Sequence, residues 1–171
     1  MLQLSNFFAN RSVLSLRAGG PVATTTTPII NPNNLKIEGF YCTTSQKGEL
    51  VLLCQDIREI LPDGFVIDDF ERLADPKDLV RLKEVLDINF NLTSKQVVTV
   101  DKHKLGKVGD YAVDTTSMYI QKIYVNQSIF KSFSGGSLSI DRSQVHEITP
   151  TKVVINELQP KSRIPATAPV A

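Results

Sequence analysis

The stretch that decides the fold is residues 48–68, GELVLLCQDIREILPDGFVID, because it occurs again at residues 136–156 as GSLSIDRSQVHEITPTKVVIN. The two stretches align without a gap. Identical residues stand at matching positions in both copies: Gly48 and Gly136, Leu50 and Leu138, Glu59 and Glu147, Ile60 and Ile148, Pro62 and Pro150. A segment of this size that recurs within one chain indicates a small structural unit used twice.

The repeat continues upstream of these stretches. Residues 28–42, PIINPNNLKIEGFYC, align without a gap with residues 111–125, YAVDTTSMYIQKIYV. A longer insertion precedes the second of the glycine-led stretches. We therefore predict a divergent first unit at residues 11–70 and a second unit at residues 92–158.

Both units have the sequence pattern of β-structure. Residues 35–42 begin with alternating apolar and polar side chains, and residues 118–125 alternate in the same way, as half-buried strands do. Residues 50–54 form a short continuous apolar run, which is typical of a buried strand. The chain is therefore predicted to be mainly β.

A helix is predicted between the units, within residues 71–91. Asp75 is suited to the N-cap and Pro76 to the first helical position. Four apolar residues share one face at helical spacing: Leu79, Leu82, Val85 and Leu86. We expect this linking helix to seal the two units together. The proline- and alanine-rich tail, residues 159–171, is predicted to be disordered.

Bulk composition excludes few classes of protein. Apolar residues make up 42% of the 171 residues, near the roughly 45–50% of soluble globular proteins, and the net charge is +1. No window approaches the ~20 apolar residues of a membrane-spanning helix. The N-terminal residues lack the basic start and continuous apolar core of a signal peptide. We expect a cytoplasmic protein without a transmembrane segment.

The residues that could carry chemistry are few. Cys42, Cys54, His103 and His146 do not have the spacing of a zinc site, so we expect no metal and no cofactor. Two free thiols are expected, with a disulfide as the open alternative. Neither unit gathers a nucleophile and a base, so the chain is predicted not to be an enzyme. One polar group leaves a carboxylate metal site as an unsupported alternative: Asp56, Arg58, Asp68 and Asp69.

Four segments of the second unit resemble the PRC-barrel domain: residues 95–99 (KQVVT), 104–114 (KLGKVGDYAVD), 138–149 (LSIDRSQVHEIT) and 153–155 (VVI). The first unit resembles that family weakly, since Gly19, Gly20 and four threonines stand where the KLGKV segment should be. The resemblance implies two tandem small PRC-type β-barrels joined by a short α-helix.

The PRC-barrel family includes the ribosome-maturation factor RimM and the cytoplasmic domain of the photosynthetic reaction-centre H subunit. The resemblance implies a non-enzymatic binding or adaptor module that docks on a protein partner, in ribosome assembly or RNA processing. Direct RNA binding is the alternative function, and a scaffold at the cytoplasmic face of a membrane complex is a further one. The identity of the partner and the oligomeric state stay open.

Two surfaces of the second unit are candidate binding sites. The insertion carries three apolar residues that we predict to contact a protein partner, unless they fold back over the unit: Ile129, Phe130 and Phe133. A basic patch is the candidate for contacts with RNA or another anion, with an ordinary charged surface as the alternative: Lys102, His103, Lys104, Lys107, Lys122, Lys131 and Arg142.

Overall fold

The computed structural model describes residues 1–46, 48–127 and 138–156, and it is mainly β. The predicted tail at residues 159–171 lies outside these ranges. The first sheet contains β2 (Ser12–Ser15), β3 (Gly20–Asn31), β4 (Lys36–Thr43), β5 (Glu49–Leu53), β6 (Glu59–Leu61), β7 (Gly64–Ile67) and β8 (Leu73–Ala74). Its strand order is β6-β7-β2-β3-β4-β5-β8.

The second sheet repeats this plan. It contains β1 (Leu2–Leu4), β9 (Gln96–Thr99), β10 (Lys104–Asp114), β11 (Ile120–Asn126), β12 (Leu138–Asp141), β13 (Val145–Ile148) and β14 (Lys152–Ile155). Its order is β12-β11-β10-β9-β14-β13, with β1 added against β10. The predicted strands within residues 35–42 and 118–125 are confirmed as β4 and β11.

The two sheets have the same topology. The order β6-β7-β2-β3-β4-β5 corresponds strand for strand to β13-β14-β9-β10-β11-β12. In each sheet one pair is parallel, β2 with β7 and β9 with β14, while the other shared pairings are antiparallel. The alignment of the two stretches in the sequence therefore corresponds to a repeat of backbone structure.

Side chains at the same place in each unit also make the same contacts. Arg11 donates from its guanidinium to the carbonyl of Pro62, and Lys95 donates from Nζ to the carbonyl of Pro150 at 2.5 Å. The two prolines are matched in the repeat, and the two cations both stand at the entry to the first strand of their unit. In each unit, a cation before the first strand thus binds the turn between the last two strands of the repeat, β6 and β7 in the first unit and β13 and β14 in the second.

The mainly β prediction is confirmed, but a closed barrel is not found in residues 1–46, 48–127 and 138–156. There the first sheet runs from an edge at β6 to an edge at β8, and the path of the second sheet runs from β12 to β13. The apolar core nevertheless joins the units, because one cluster contains buried residues from both. In its first-unit part, the ring of Phe40 stacks on Phe8 at 5.8 Å and on Phe65 at 5.1 Å.

The two units meet through a reciprocal main-chain contact. The N–H of Ile37 donates to the carbonyl of Met118 at 2.8 Å, and the N–H of Ile120 donates to the carbonyl of Leu35 at 2.9 Å. Leu35 and Met118 are matched in the repeat, as are Ile37 and Ile120. Leu35 and Met118 share the same unusual backbone, with φ of 58° and 59°, and both are buried. We call this contact the reciprocal bridge; it has the mutual exchange of hydrogen bonds typical of a twofold-symmetric interface.

The side chains at the centre of the reciprocal bridge differ between the units. Lys36 and Tyr119 face each other as an isolated antiparallel pair. The Lys36 ammonium lies 6.0 Å from the centroid of the Tyr119 ring, and the Arg142 guanidinium lies 4.2 Å from it. Cations near an aromatic face are worth about 0.5–2 kcal/mol, depending on exposure. The symmetric backbone is thus completed by an asymmetric cation–π cluster.

The segment preceding each unit lies on the other unit. β1 precedes the first unit but pairs with β10 of the second sheet, with Leu2 opposite Asp114 and Leu4 opposite Ala112. The linking segment precedes the second unit but packs on the first sheet, where the helix α1 (Lys83–Ile88) contacts β3. The chain therefore passes from one sheet to the other twice, once after β1 and once after α1.

The linking helix is shorter than predicted. Asp75 does cap the segment by accepting from the N–H of Lys77 at 2.9 Å, and Pro76 follows it. Two 3₁₀ turns, Pro76–Asp78 and Val80–Leu82, then precede α1. The segment is interrupted at Leu79, whose backbone is not helical, with φ of −85° and ψ of 62°.

The apolar face of the linking segment covers the outside of the first sheet. Val85 forms a buried cluster with Ile29 and Val51 of that sheet. Leu79, Leu82 and Leu86 pack against the same cluster, together with Tyr41 and Leu53. The predicted shared face is confirmed, but it covers the first sheet instead of sealing the units together, because the first sheet carries apolar residues on this side.

Among the described residues, the structure has no helix that is both long enough and apolar enough to span a bilayer.

Replacement of Gly106 by alanine should destabilise the protein. Gly106 has φ of +146°, and an added Cβ would lie 2.1 Å from the carbonyl oxygen of Asn126. We expect Gly106→Ala to lower the free energy of unfolding, measured by urea denaturation, by about 1–3 kcal/mol. Gly20→Ala is the matched control, since nothing lies within 4 Å of its added Cβ. Equal effects of the two substitutions would contradict the close approach of Gly106 in β10 to Asn126 in β11.

Candidate nucleic-acid interface

The turn between β9 and β10 carries the densest group of cations in the predicted basic patch. Lys102, His103 and Lys104 follow one another, and Lys107 lies on the same hairpin; all four are exposed. Within residues 1–46, 48–127 and 138–156, no carboxylate lies within ion-pair distance of these four side chains. We call these four residues the basic hairpin.

The backbone of the basic hairpin is held by Thr99. The N–H of Thr99 donates to the carbonyl of His103 at 3.0 Å, and the N–H of Lys102 donates to the carbonyl of Thr99 at 2.9 Å. The Thr99 hydroxyl oxygen accepts from the N–H of His103 at 3.1 Å. Thr99 is itself buried, so the turn is anchored in the sheet.

A cavity of about 690 Å³ opens beside the basic hairpin. Its lining includes two cations with hydroxyl and amide side chains, and Leu105 and Val108 add apolar surface between them. The polar members are Lys104, Lys107, Thr93, Ser94, Gln96, Asn126 and Gln127. The Gln96 amide donates to the carbonyl of Gly106 at 2.8 Å, which fixes one wall. This arrangement offers hydrogen-bond donors and positive charge to an anion.

The remaining described members of the predicted patch lie elsewhere. Lys122 is on β11, four residues before the position that pairs with Lys107, roughly 13 Å away along the strand. Its ammonium is 3.1 Å from the Asp141 carboxylate, and Arg142 lies over the Tyr119 ring. The structure therefore divides the patch into the basic hairpin and a second pair near the reciprocal bridge, whose charges already have partners.

Four of the predicted site residues fall outside the described residues: Lys131 of the basic patch, and Ile129, Phe130 and Phe133 of the insertion. The flanking strands are described. β11 ends at Asn126 and β12 begins at Leu138, while their counterparts β4 and β5 are joined by residues 44–48. The insertion thus lies between two strands that the units share.

The first unit has the matching hairpin without its charge. Alignment places Pro21 and Thr24 where the second unit has Lys104 and Lys107. Arg17, on the turn of that hairpin, donates to the Asp69 carboxylate at 2.8 Å. This hydrogen bond holds the pKa of Asp69 below its usual range. Equivalent backbones therefore carry an ion-paired arginine in the first unit and, in the second, lysines without an ion pair to any described carboxylate.

Two aspartates of the KLGKVGDYAVD segment have structural roles. Asp114 accepts from the hydroxyl of Ser117 at 2.7 Å and from its N–H at 3.1 Å. The Ser117 hydroxyl is the main cause that lowers the pKa of Asp114 to about 2. Asp110 accepts from the hydroxyl of Ser5 at 2.6 Å, which ties the N-terminal segment to the second sheet.

The acidic group of the first unit is not arranged as a metal site. In the described part of the chain, no three His, Cys, Asp or Glu residues are placed to share an ion. The predicted cluster is instead tied to arginines, with Arg58 2.5 Å from Asp68 and Arg72 3.7 Å from Asp56. These ion pairs are exposed or partly exposed and join neighbouring segments of the first unit.

Both cysteines are free thiols, as expected, and the alternative disulfide is not formed. Burial raises the pKa of Cys42 to about 12 and that of Cys54 to about 12. The Cys54 thiol donates to the carbonyl of Ile37 at 3.2 Å. Since the thiolate is the reactive form, neither thiol is set up as a nucleophile.

Sequence reasoning missed the polar wall of the cavity and the Tyr119 cation–π cluster. Thr93 and Ser94 lie just upstream of β9, separated from it by Lys95, and their hydroxyl side chains were the available signal for this wall of the cavity. Arg142 and Tyr119 are far apart in sequence, so no local pattern joins them.

No protein-family model matches the chain, and a search of curated proteins finds no significant match.

The buried thiols predict a loss of stability at alkaline pH. The folded-state pKa values, about 12, lie above the ~8.5 of a free cysteine, so the unfolded chain releases these protons first. The contribution of the two thiols to the free energy of unfolding should be constant below pH 8 and fall between about pH 9 and 12, by about 1.4 kcal/mol per pH unit for each thiol. Urea denaturation across this range measures the slope.

Cys42→Val is the matched variant for this measurement, because Val125 stands at the equivalent position of the second unit. Cys42→Val should reduce the fall of the free energy of unfolding with rising pH by the contribution of one thiol. A slope that is unchanged in this variant would contradict a buried, protonated Cys42.

Proposed function

We propose that this protein is a non-enzymatic adaptor of the PRC-barrel type that docks on a protein partner in ribosome assembly or RNA processing. The observation that carries the proposal is the position of the insertion. Residues 127–137 join β11 to β12, two strands whose first-unit counterparts are joined by the shorter residues 44–48. A loop added between shared strands is a common way to place a binding surface on a constant scaffold.

The composition of the insertion supports a protein partner. It carries Ile129, Phe130 and Phe133 among serines and glycines. Aromatic side chains supply much of the binding energy in protein interfaces, and an apolar group on a surface loop is a common mark of such an interface. The first unit has no apolar residue in the corresponding residues 44–48.

The chemistry of the described residues also favours binding over catalysis. Each group with a large pKa shift owes that shift to a structural cause. The pKa values of Cys42, Cys54 and Tyr111 are shifted mainly by burial, and that of Asp114 by the turn that it holds. Catalytic groups are usually shifted within a cleft that substrate can enter, so this pattern is typical of a structural scaffold.

The reciprocal bridge suits an adaptor. It fixes β4 against the start of β11 through main-chain hydrogen bonds, so the strand that leads into the insertion is held in a constant position relative to the first unit. A strand that is already fixed loses no further conformational entropy when a partner binds the segment that follows it.

The proposal is tested by capture from native lysate with the tagged full chain, followed by mass spectrometry. The Phe130→Ser/Phe133→Ser variant should lose most of the specifically captured protein, because both aromatic anchors are gone. Val80→Ser is the matched control, since Val80 is an apolar residue 78% exposed on the linking segment. Nuclease treatment of the lysate should leave the captured protein in place.

Retention of the same protein by the Phe130→Ser/Phe133→Ser variant would contradict docking through the insertion. Loss of that protein on nuclease treatment would instead show that nucleic acid bridges the two.

A further inference from the structure

We propose that the cavity beside the basic hairpin of the second unit binds the phosphates of single-stranded nucleic acid. The site lies directly before the protein-docking insertion, since Asn126 and Gln127 of its lining lead into it, but the insertion's apolar residues are not part of the described lining. The proposal is based on three features of the described residues: the charge of the hairpin, the polar groups placed among apolar ones in a concave lining, and the positions of the cations along the hairpin.

Charge is the first feature. Lys102, Lys104 and Lys107 have no described carboxylate within ion-pair distance, whereas the arginine of the matching hairpin, Arg17, is neutralised by Asp69. The units share a backbone and differ here in charge, so the fold alone does not require these lysines. Three lysines against one aspartate of the same turn, Asp101, leave the hairpin net positive, and a positive field on a fixed hairpin attracts polyanions.

The lining of the cavity is the second feature. Lys104 and Lys107 stand among the hydroxyls of Thr93 and Ser94 and the amide of Gln96. These are donors for phosphate oxygens. The described lining contains no aromatic ring on which a base could stack. The site should therefore bind the backbone of a strand and show little preference for its base sequence.

The position of the cations along the hairpin is the third feature. Lys102 lies in the turn, with φ of 67°, and Lys107 lies farther along on β10, so the two cations mark the tip and the strand of the hairpin. A chain of phosphates can contact both. The lining is concave, so a single strand can enter it, whereas a planar lipid surface would reach only the tip at Lys102 and His103.

The hairpin is also held in place before any ligand binds. Thr99 closes the turn through three hydrogen bonds, and Gln96 fastens Gly106 at the cavity wall. Lysines on an ordered hairpin lose less conformational entropy on binding than lysines on a free loop.

The test uses fluorescence anisotropy with the full chain and a labelled single-stranded oligouridine RNA, over a range of salt concentrations. Lys104→Gln/Lys107→Gln should weaken binding roughly tenfold at low salt. The slope of log affinity against log salt should become about 1.4 smaller in magnitude, because each of the two removed lysines accounts for about 0.7 of it. Lys77→Gln/Arg81→Gln removes the same charge from exposed positions of the linking segment and should leave the slope unchanged.

Three results would overturn the proposal. One is an equal reduction of affinity in the two charge variants, because the effect would then be one of net charge. Another is equally tight binding of inorganic phosphate alone, which would indicate a single-phosphate site. The last is binding to vesicles with anionic lipids but not to the oligonucleotide. The Phe130→Ser/Phe133→Ser variant should keep full RNA affinity, so this proposal and the proposed protein docking fail independently.

Discussion

The reciprocal bridge between Leu35–Lys36–Ile37 and Met118–Tyr119–Ile120 is the constraint on which the arrangement of the two units depends. It has two main-chain hydrogen bonds, each donated by one unit and accepted by the other. Leu35 and Met118 adopt a left-handed backbone that is rare for bulky residues and costs about 1–3 kcal/mol at each site. Such a conformation persists only where the surroundings determine it, and here both residues are buried in the contact itself.

The backbone contact is twofold symmetric, so by itself it could join two first units or two second units equally well. The side chains favour the pairing of a first unit with a second unit. Two first units joined in the same way would place Lys36 against a second Lys36, with like charges in close contact. In the observed pair, Lys36 meets Tyr119, and Arg142 lies on the same ring. The pairing of β1, which precedes the first unit, with β10 of the second sheet adds contacts that also hold this arrangement together. The chain thus has the construction of a symmetric dimer whose two copies have been joined and have since diverged. The units share their backbone contacts, and in each unit a cation, Arg11 or Lys95, binds the carbonyl of the matched proline. The charges of the hairpins and the connections after β4 and β11 differ. The candidate binding surfaces of the second unit lie at these differing segments.

The strands of each unit could be predicted from the sequence, because alternation and repeated glycine–proline spacing are local signals. The cap at Asp75 could also be predicted, since capping needs only neighbouring residues. The crossing of the segments before each unit could not, because β1 is three residues long and its pairing with Ala112–Asp114 depends on contacts remote in sequence. The division of the basic patch could not be predicted for the same reason. Lys122 and Lys107 lie at different places along two paired strands, and the register of those strands is not a local property of the sequence.

Amide hydrogen exchange at Ile37 and Ile120, followed by NMR, tests most directly whether the reciprocal bridge joins the two units into one cooperative structure. Both amides should exchange at the same slow rate as core amides such as those of Val13 and Val97, because all of them require global unfolding. Fast exchange at Ile37 and Ile120, with the strand cores still protected, would show that the units separate readily and would contradict a cooperative bridge.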